Sequence, residues 1–103
     1  MALSADIDNK IHFFARLVSK KLKIDQLYVF GSSAKGGQRE WSDIDLAIVS
    51  SDFSGDSFED CKVLFPFILK VDRSIEIHPF RPADFTAENP FVREIIETGI
   101  QII

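Results

Sequence analysis

Asp43 and Asp45 are separated by one residue in a stretch, Ser42 to Ser50, that reads as a strand. Residues two apart in a strand project from the same face, with Cα atoms roughly 6.5 Å apart. Two carboxylates at that spacing repel unless a cation lies between them. Mg²⁺ suits them, because it is commonly held by one or two carboxylates together with substrate phosphates. A bare pair of this kind is more often two solvated acids, so the residues upstream decide its meaning. There, Gly31 and Ser32 directly follow an apolar run, Leu27 to Phe30, and Lys35, Gly36 and Gly37 come shortly after. Glycines let a backbone approach a ligand closely, and amides at the start of a short helix suit phosphate. Ser32 can donate a hydroxyl to a phosphate oxygen and Lys35 can add a positive charge. A glycine-serine pair alone is an ordinary turn. A phosphate cradle followed by metal-type carboxylates, each at the end of a strand, is more than a turn.

These residues need a scaffold. Leu3, Ile7, Ile11, Phe14, Val18 and Leu22 recur at helical spacing, with Ser4 or Asp6 placed to cap the helix. Arg16, Lys20, Lys21 and Lys23 crowd its end, where positive charge complements the helix dipole. A strand follows over Leu27 to Phe30, then a loop or short helix over Gly31 to Gly37. The next strand spans Ser42 to Ser50, with Ile44, Leu46 and Ile48 on one face. A second long helix is expected from Ser57 to Lys70, with Phe58, Cys61, Phe65 and Ile68 facing the core. Val63 and Phe67 then fall off that face as contact candidates, and Pro66 should kink or shorten the helix. A third strand covers Ser74 to Phe80, Ile75 and Ile77 facing one way, Glu76 and His78 the other. Pro82 to Phe85 can form one helical turn, and a last helix runs from Phe91 to Thr98, closed by Gly99. Ile100, Ile102 and Ile103 make an apolar tail suited to docking on the core or on a partner. The expected fold class is α+β, a small mixed three-stranded sheet flanked by helices in the order α-β-α-β-α-β-α, as one domain over residues 1–103.

The chain has 103 residues, a hydrophobic fraction of 46% and a formal net charge of −4. The negative balance argues against general nucleic-acid binding, which needs many Lys and Arg to displace counterions. It does not exclude a nucleoside triphosphate, since a metal ion can supply the charge locally. Cys61 is the only cysteine, so no internal disulfide forms, and it reads as a small apolar residue. With no secretory leader and no apolar run long enough to span a bilayer, a reducing cytoplasm is the expected setting and no membrane partner is expected.

Gly31-Ser32-Ser33-Ala34-Lys35-Gly36, followed by Ser42-Asp43-Ile44-Asp45-Leu46, resembles the signature of the DNA polymerase beta-like nucleotidyltransferase superfamily. The size is similar to that of the minimal nucleotidyltransferases (MNT) of prokaryotes, often paired with a helical HEPN partner in toxin–antitoxin modules. The resemblance implies a nucleotidyltransferase fold and a third carboxylate on the strand after the second helix. By order that position is Glu76, a departure because aspartate is common there. It further implies catalytic and metal roles for Asp43, Asp45 and Glu76, with two Mg²⁺ ions. Nucleotide contacts would come from Gly31, Ser32, Lys35, Gly36 and Ser42. The implied activity is transfer of AMP from ATP to a hydroxyl of a partner protein such as a HEPN toxin. The alternative is an antitoxin-like binding module that neutralises its partner by contact. His78 shares a face with Glu76 and lines the site or serves structure. Trp41, beside the motif, stacks on a base, meets a partner or anchors a loop. Homo-oligomerisation is left open.

Overall fold

In the computed structural model, residues 3–31, 34 and 43–103 are described. The loop-helix expected after the first strand, with Ser32, Lys35, Gly36, Trp41 and Ser42, lies outside the described residues.

Helix α1 runs from Ala5 to Ser19, and its cap is Ser4, whose hydroxyl accepts from the Ile7 amide at 3.2 Å. Its apolar stripe is buried at Ile7, Ile11, Phe14, Ala15 and Val18. Strands β1 (Gln26–Phe30) and β2 (Ile44–Val49) pair antiparallel, with Val29 opposite Leu46 and Phe30 opposite Asp45. Helix α2 (Ser57–Val71) then carries the chain to β3 (Ile75–Phe80), which lies parallel to β2. A 3-10 turn (Pro82–Asp84) and helix α3 (Pro90–Thr98) follow. Asn89 caps α3 through a 2.9 Å bond from the Phe91 amide. A crossover helix is what a parallel strand pair requires.

The sheet has four strands where the sequence suggested three. Ile100–Gln101 forms a short β4 antiparallel to β1, giving the order β3-β2-β1-β4. Part of the expected apolar tail is therefore an edge strand. Ile100 and Ile102 pack against the main core from it. Gly99, between α3 and β4, has an ordinary extended φ of −82°. Glycine is needed there for room: a Cβ would meet the Ile95 carbonyl at 2.5 Å and the Val29 carbonyl at 3.0 Å.

Of the face expected on α2, Cys61 and Ile68 do turn toward the sheet, while Phe58 and Phe65 do not. The buried positions of the helix are Asp60 and Leu64, with Phe67, Ile68 and Val71 packed alongside, whereas Phe58 is 70% and Phe65 55% exposed. Both apolar sets fit a helical repeat. Asp60 decides between them, because its carboxylate turns inward to accept from the Ser54 amide and hydroxyl and the Gly55 amide. Those bonds tie the helix to the loop before it and fix the face presented to the sheet. Phe67 is therefore a core neighbour and not a free contact residue. Pro66 does not shorten the helix. It lies on the exposed side, where water can hydrate the carbonyl whose hydrogen bond the ring removes.

Two cores result, one on each side of the sheet. The larger joins α1 and α2 to Leu27, Val29, Ile44, Leu46, Ile48, Ile75 and Ile77. The smaller joins α3 to Tyr28, Ala47, Val49 and Phe85, with Phe30 and Phe80 at its rim. Strand alternation sends successive residues to opposite cores, so both form from the same few strands. Among the described residues no helix is long and apolar enough to cross a membrane.

Candidate active site

The chemistry-bearing residues collect where β1 ends and β2 and β3 begin. Asp45 and Glu76 are register partners on adjacent parallel strands, so their side chains rise side by side from one face. His78, two residues further along β3, projects from the same face, and its Nε2 lies 3.4 Å from Asp45 Oδ1. One ligand-type atom from each of Asp45, Glu76 and His78 falls within 4.8 Å of the others. Neighbouring ligands of a single small divalent ion lie about 3–4 Å apart. Two carboxylates and an imidazole at this separation therefore fit a metal ion with small side-chain adjustments. Asp45 and His78 keep 25% and 27% of their side-chain surface exposed, while Glu76 is open to solvent. Substrate can reach the trio, and the two inner groups are partly shielded from water, which strengthens their electrostatic effect.

Asp43 precedes β2, is exposed, and stands outside that trio. Gly31 lies against Asp45. The residue follows β1 with a φ of +74°, a left-handed conformation that favours glycine, and a Cβ there would lie 2.7 Å from Asp45 Oδ2. The absent side chain leaves room for a carboxylate. Ser32, Lys35, Gly36 and Ser42 fall outside the described residues, so the phosphate-side contacts expected of them have no geometry here.

The aromatic support of His78 was not foreseen. Its ring centroid lies 5.1 Å from Phe30 and 5.7 Å from Phe91, both edge-on, and Phe30 and Phe91 meet each other at 5.6 Å. Phe80, Phe85 and Tyr28 extend the cluster inward. Tilted and edge-to-face packing of this kind orients rings as well as burying area. A signal was available: Tyr28 and Phe30 alternate on β1 onto the same face as Asp45 on β2.

Cys61 keeps its expected passive character. Burial, and secondarily the charge of Asp60, push its thiol up, and Sγ rests 3.8 Å from the Ile77 carbonyl. A raised thiol holds little nucleophilic thiolate.

A family model described as "Polymerase beta, Nucleotidyltransferase" matches residues 14–103. The chain belongs to the polymerase beta nucleotidyltransferase family. Among curated proteins none matches. Two solved structures share the fold of this family member. A candidate nucleotidyltransferase from Sulfolobus solfataricus has a TM-score of 0.60 at 17% identity, covering 99% of this chain and 97% of its own. A toxin–antitoxin structure with AMP-PNP has a TM-score of 0.57 at 23% identity, covering 93% of this chain and 72% of its own. The mixed sheet flanked by helices is thus a nucleotidyltransferase fold.

Proposed function

We propose that the chain transfers AMP from ATP to a hydroxyl of a partner protein, with Mg²⁺ held by Asp43, Asp45 and Glu76. The observation that carries the reading is the pairing of Asp45 with Glu76 across β2 and β3, directly beside the Gly31 turn. Family membership supplies the reaction class, and the resemblance to a toxin–antitoxin structure with AMP-PNP favours an adenine nucleotide and a protein acceptor, such as a HEPN toxin.

In this reaction the acceptor oxygen forms a bond to the α-phosphorus, the bond from that phosphorus to the bridging oxygen breaks, and pyrophosphate leaves. The acceptor proton passes to the Glu76 carboxylate and on to solvent. Gly31, Ser32, Lys35, Gly36 and Ser42 hold the departing phosphates. Asp43 and Asp45 would hold Mg²⁺ beside the triphosphate, and the ion, when bound, would supply charge neutralisation. Such catalysis is chiefly positioning and electrostatics, which a rigid pair of strands serves well.

Phe58 and Phe65, exposed on α2, favour a second reading in which the chain neutralises a partner by contact alone. One experiment separates the two. ATP labelled at the α-phosphate is incubated with the chain, Mg²⁺ and the partner-containing lysate, beside the Asp43→Asn, Asp45→Asn double variant. A protein band labelled only by the unaltered chain supports transfer. Equal labelling in both, or none with the partner present, rejects it, and neutralisation that survives the double substitution supports contact.

A further inference from the structure

We infer that His78 is a direct nitrogen ligand in the Asp45–Glu76 metal site, and that it adds affinity for first-row transition ions of the manganese, cobalt and zinc class that Mg²⁺ binding at the carboxylates does not share. The inference rests on the metal-binding part of the function proposed above and goes beyond it in naming a ligand and an ion class.

Three observations support it. His78 Nε2 is the imidazole atom that faces the carboxylates, 3.4 Å from Asp45 Oδ1, and it completes the trio whose ligand atoms lie within 4.8 Å of one another. The ring cannot swing freely, because Phe30 and Phe91 hold its edges at centroid distances of 5.1 and 5.7 Å. A ligand whose rotamer is already fixed loses little freedom when an ion arrives. Finally, the register of β2 against β3 pairs Asp45 with Glu76 and Ala47 with His78. The small Ala47 methyl leaves the imidazole room to lean toward Asp45. Imidazole nitrogen suits transition ions, whereas Mg²⁺ prefers an all-oxygen octahedron and keeps several waters. A merely structural role for His78, as a hydrogen-bond partner of Asp45, would support any ion to the same degree.

The test uses the full chain without nucleotide, so that its outcome does not depend on transfer activity. Mn²⁺ and Mg²⁺ are titrated by calorimetry into the unaltered chain and into His78→Gln, which keeps a polar side chain near Asp45. Circular dichroism checks the folding of each protein. The unaltered chain should bind Mn²⁺ at least about tenfold more tightly than Mg²⁺, and His78→Gln should lose about tenfold or more for Mn²⁺ while changing Mg²⁺ little. Electron spin echo spectra of bound Mn²⁺ should show ¹⁴N modulation from a directly bound imidazole. The chain has two histidines, so the modulation should survive His12→Gln and vanish in His78→Gln. Equal losses for both ions, no loss for either, or no nitrogen modulation in the unaltered chain would overturn the inference, the last even where His78→Gln fails to fold. Mn²⁺ binding through His78 with no labelled acceptor would leave it standing and reject AMP transfer alone.

Discussion

The two faces of the sheet are built from alternate residues of the same strands, yet they differ in kind. The face under α1 and α2 is mostly aliphatic and closed: Ile11, Phe14, Val18, Leu27, Val29, Leu46, Ile48 and Leu64 are wholly removed from solvent. The face under α3 is aromatic and only partly covered. It grades from Tyr28 and Phe85 through Phe80 and Phe30 to His78 and Asp45, with Phe91 at its rim 41% exposed. One face holds the fold together by buried area. The other spends part of its area on orienting rings beside an open group of acids. A small domain can thus keep an accessible site without weakening the core that positions it.

The sharpest way to break this division is to cut into the aliphatic face. Phe14→Ala should cost about 3–5 kcal/mol of stability, read from the urea midpoint, while leaving metal affinity intact in whatever fraction stays folded. A site lost in step with the folded fraction fits the division, but one altered within the folded fraction would show that the faces are not independent.

Gly31→Ala should cost less overall, about 1–3 kcal/mol from its left-handed backbone. Because the added methyl also strikes the Asp45 carboxylate, transfer activity should fall far more than stability does. Equal, modest losses in the two would mean the contact is relieved by a harmless side-chain shift.

A third comparison uses acid. Lys10 on α1 bonds Asp72, just past α2, at 2.7 Å, and that hydrogen bond, helped by the Ser74 amide and hydroxyl, brings the Asp72 carboxyl from 3.8 down to about 2. A carboxyl depressed in the folded state stabilises it above its unfolded value and ceases to do so as pH falls through the folded one. Lys10→Met should therefore cost about 1–2 kcal/mol near neutrality, discounted for partial exposure, and the gap between the two proteins should close between pH 4 and pH 2. A gap that persists at pH 2 would assign the loss to packing of the lysine stem.

The smallest effect belongs to the rim. Phe91→Leu should lower stability by only about 0.5–1.5 kcal/mol, the worth of lost ring contacts. Its mark should be a looser His78, seen as a broader spread of imidazole chemical shifts in NMR spectra. An unchanged imidazole signal would leave orientation to Phe30 alone.

Much of this was legible in the sequence, and the exceptions share a cause. Helical spacing in α1 and the alternation of β2 and β3 are local patterns that appear as written, and of the two cap candidates, Ser4 and Asp6, the structure takes Ser4. Glu76 as a third carboxylate is what the family resemblance implies, placed by element order and alternation, but its register opposite Asp45 is a long-range pairing. What local pattern does not carry is choice between equals and pairing at a distance. Helix α2 offers two apolar stripes, and only the inward turn of Asp60 toward Ser54 and Gly55 selects one. Strand β4 is two residues long, too short for any periodicity, and exists because Val29 finds Ile100. The meeting of His78 with Asp45 needs the relative register of two strands joined by a fifteen-residue helix. Gly31 was legible as a close-approach residue, but the group it makes room for was not.

Pro79, paired with Ile48 inside β3, has a last consequence. Among the described residues β3 is an outer strand of the sheet, and an outer strand with free amides invites a stray chain to add itself. Proline has no amide to offer, so the ladder on that side is interrupted one residue past the site histidine. The strand that carries Glu76 and His78 is thereby a poor template for a further strand to pair along its outer edge.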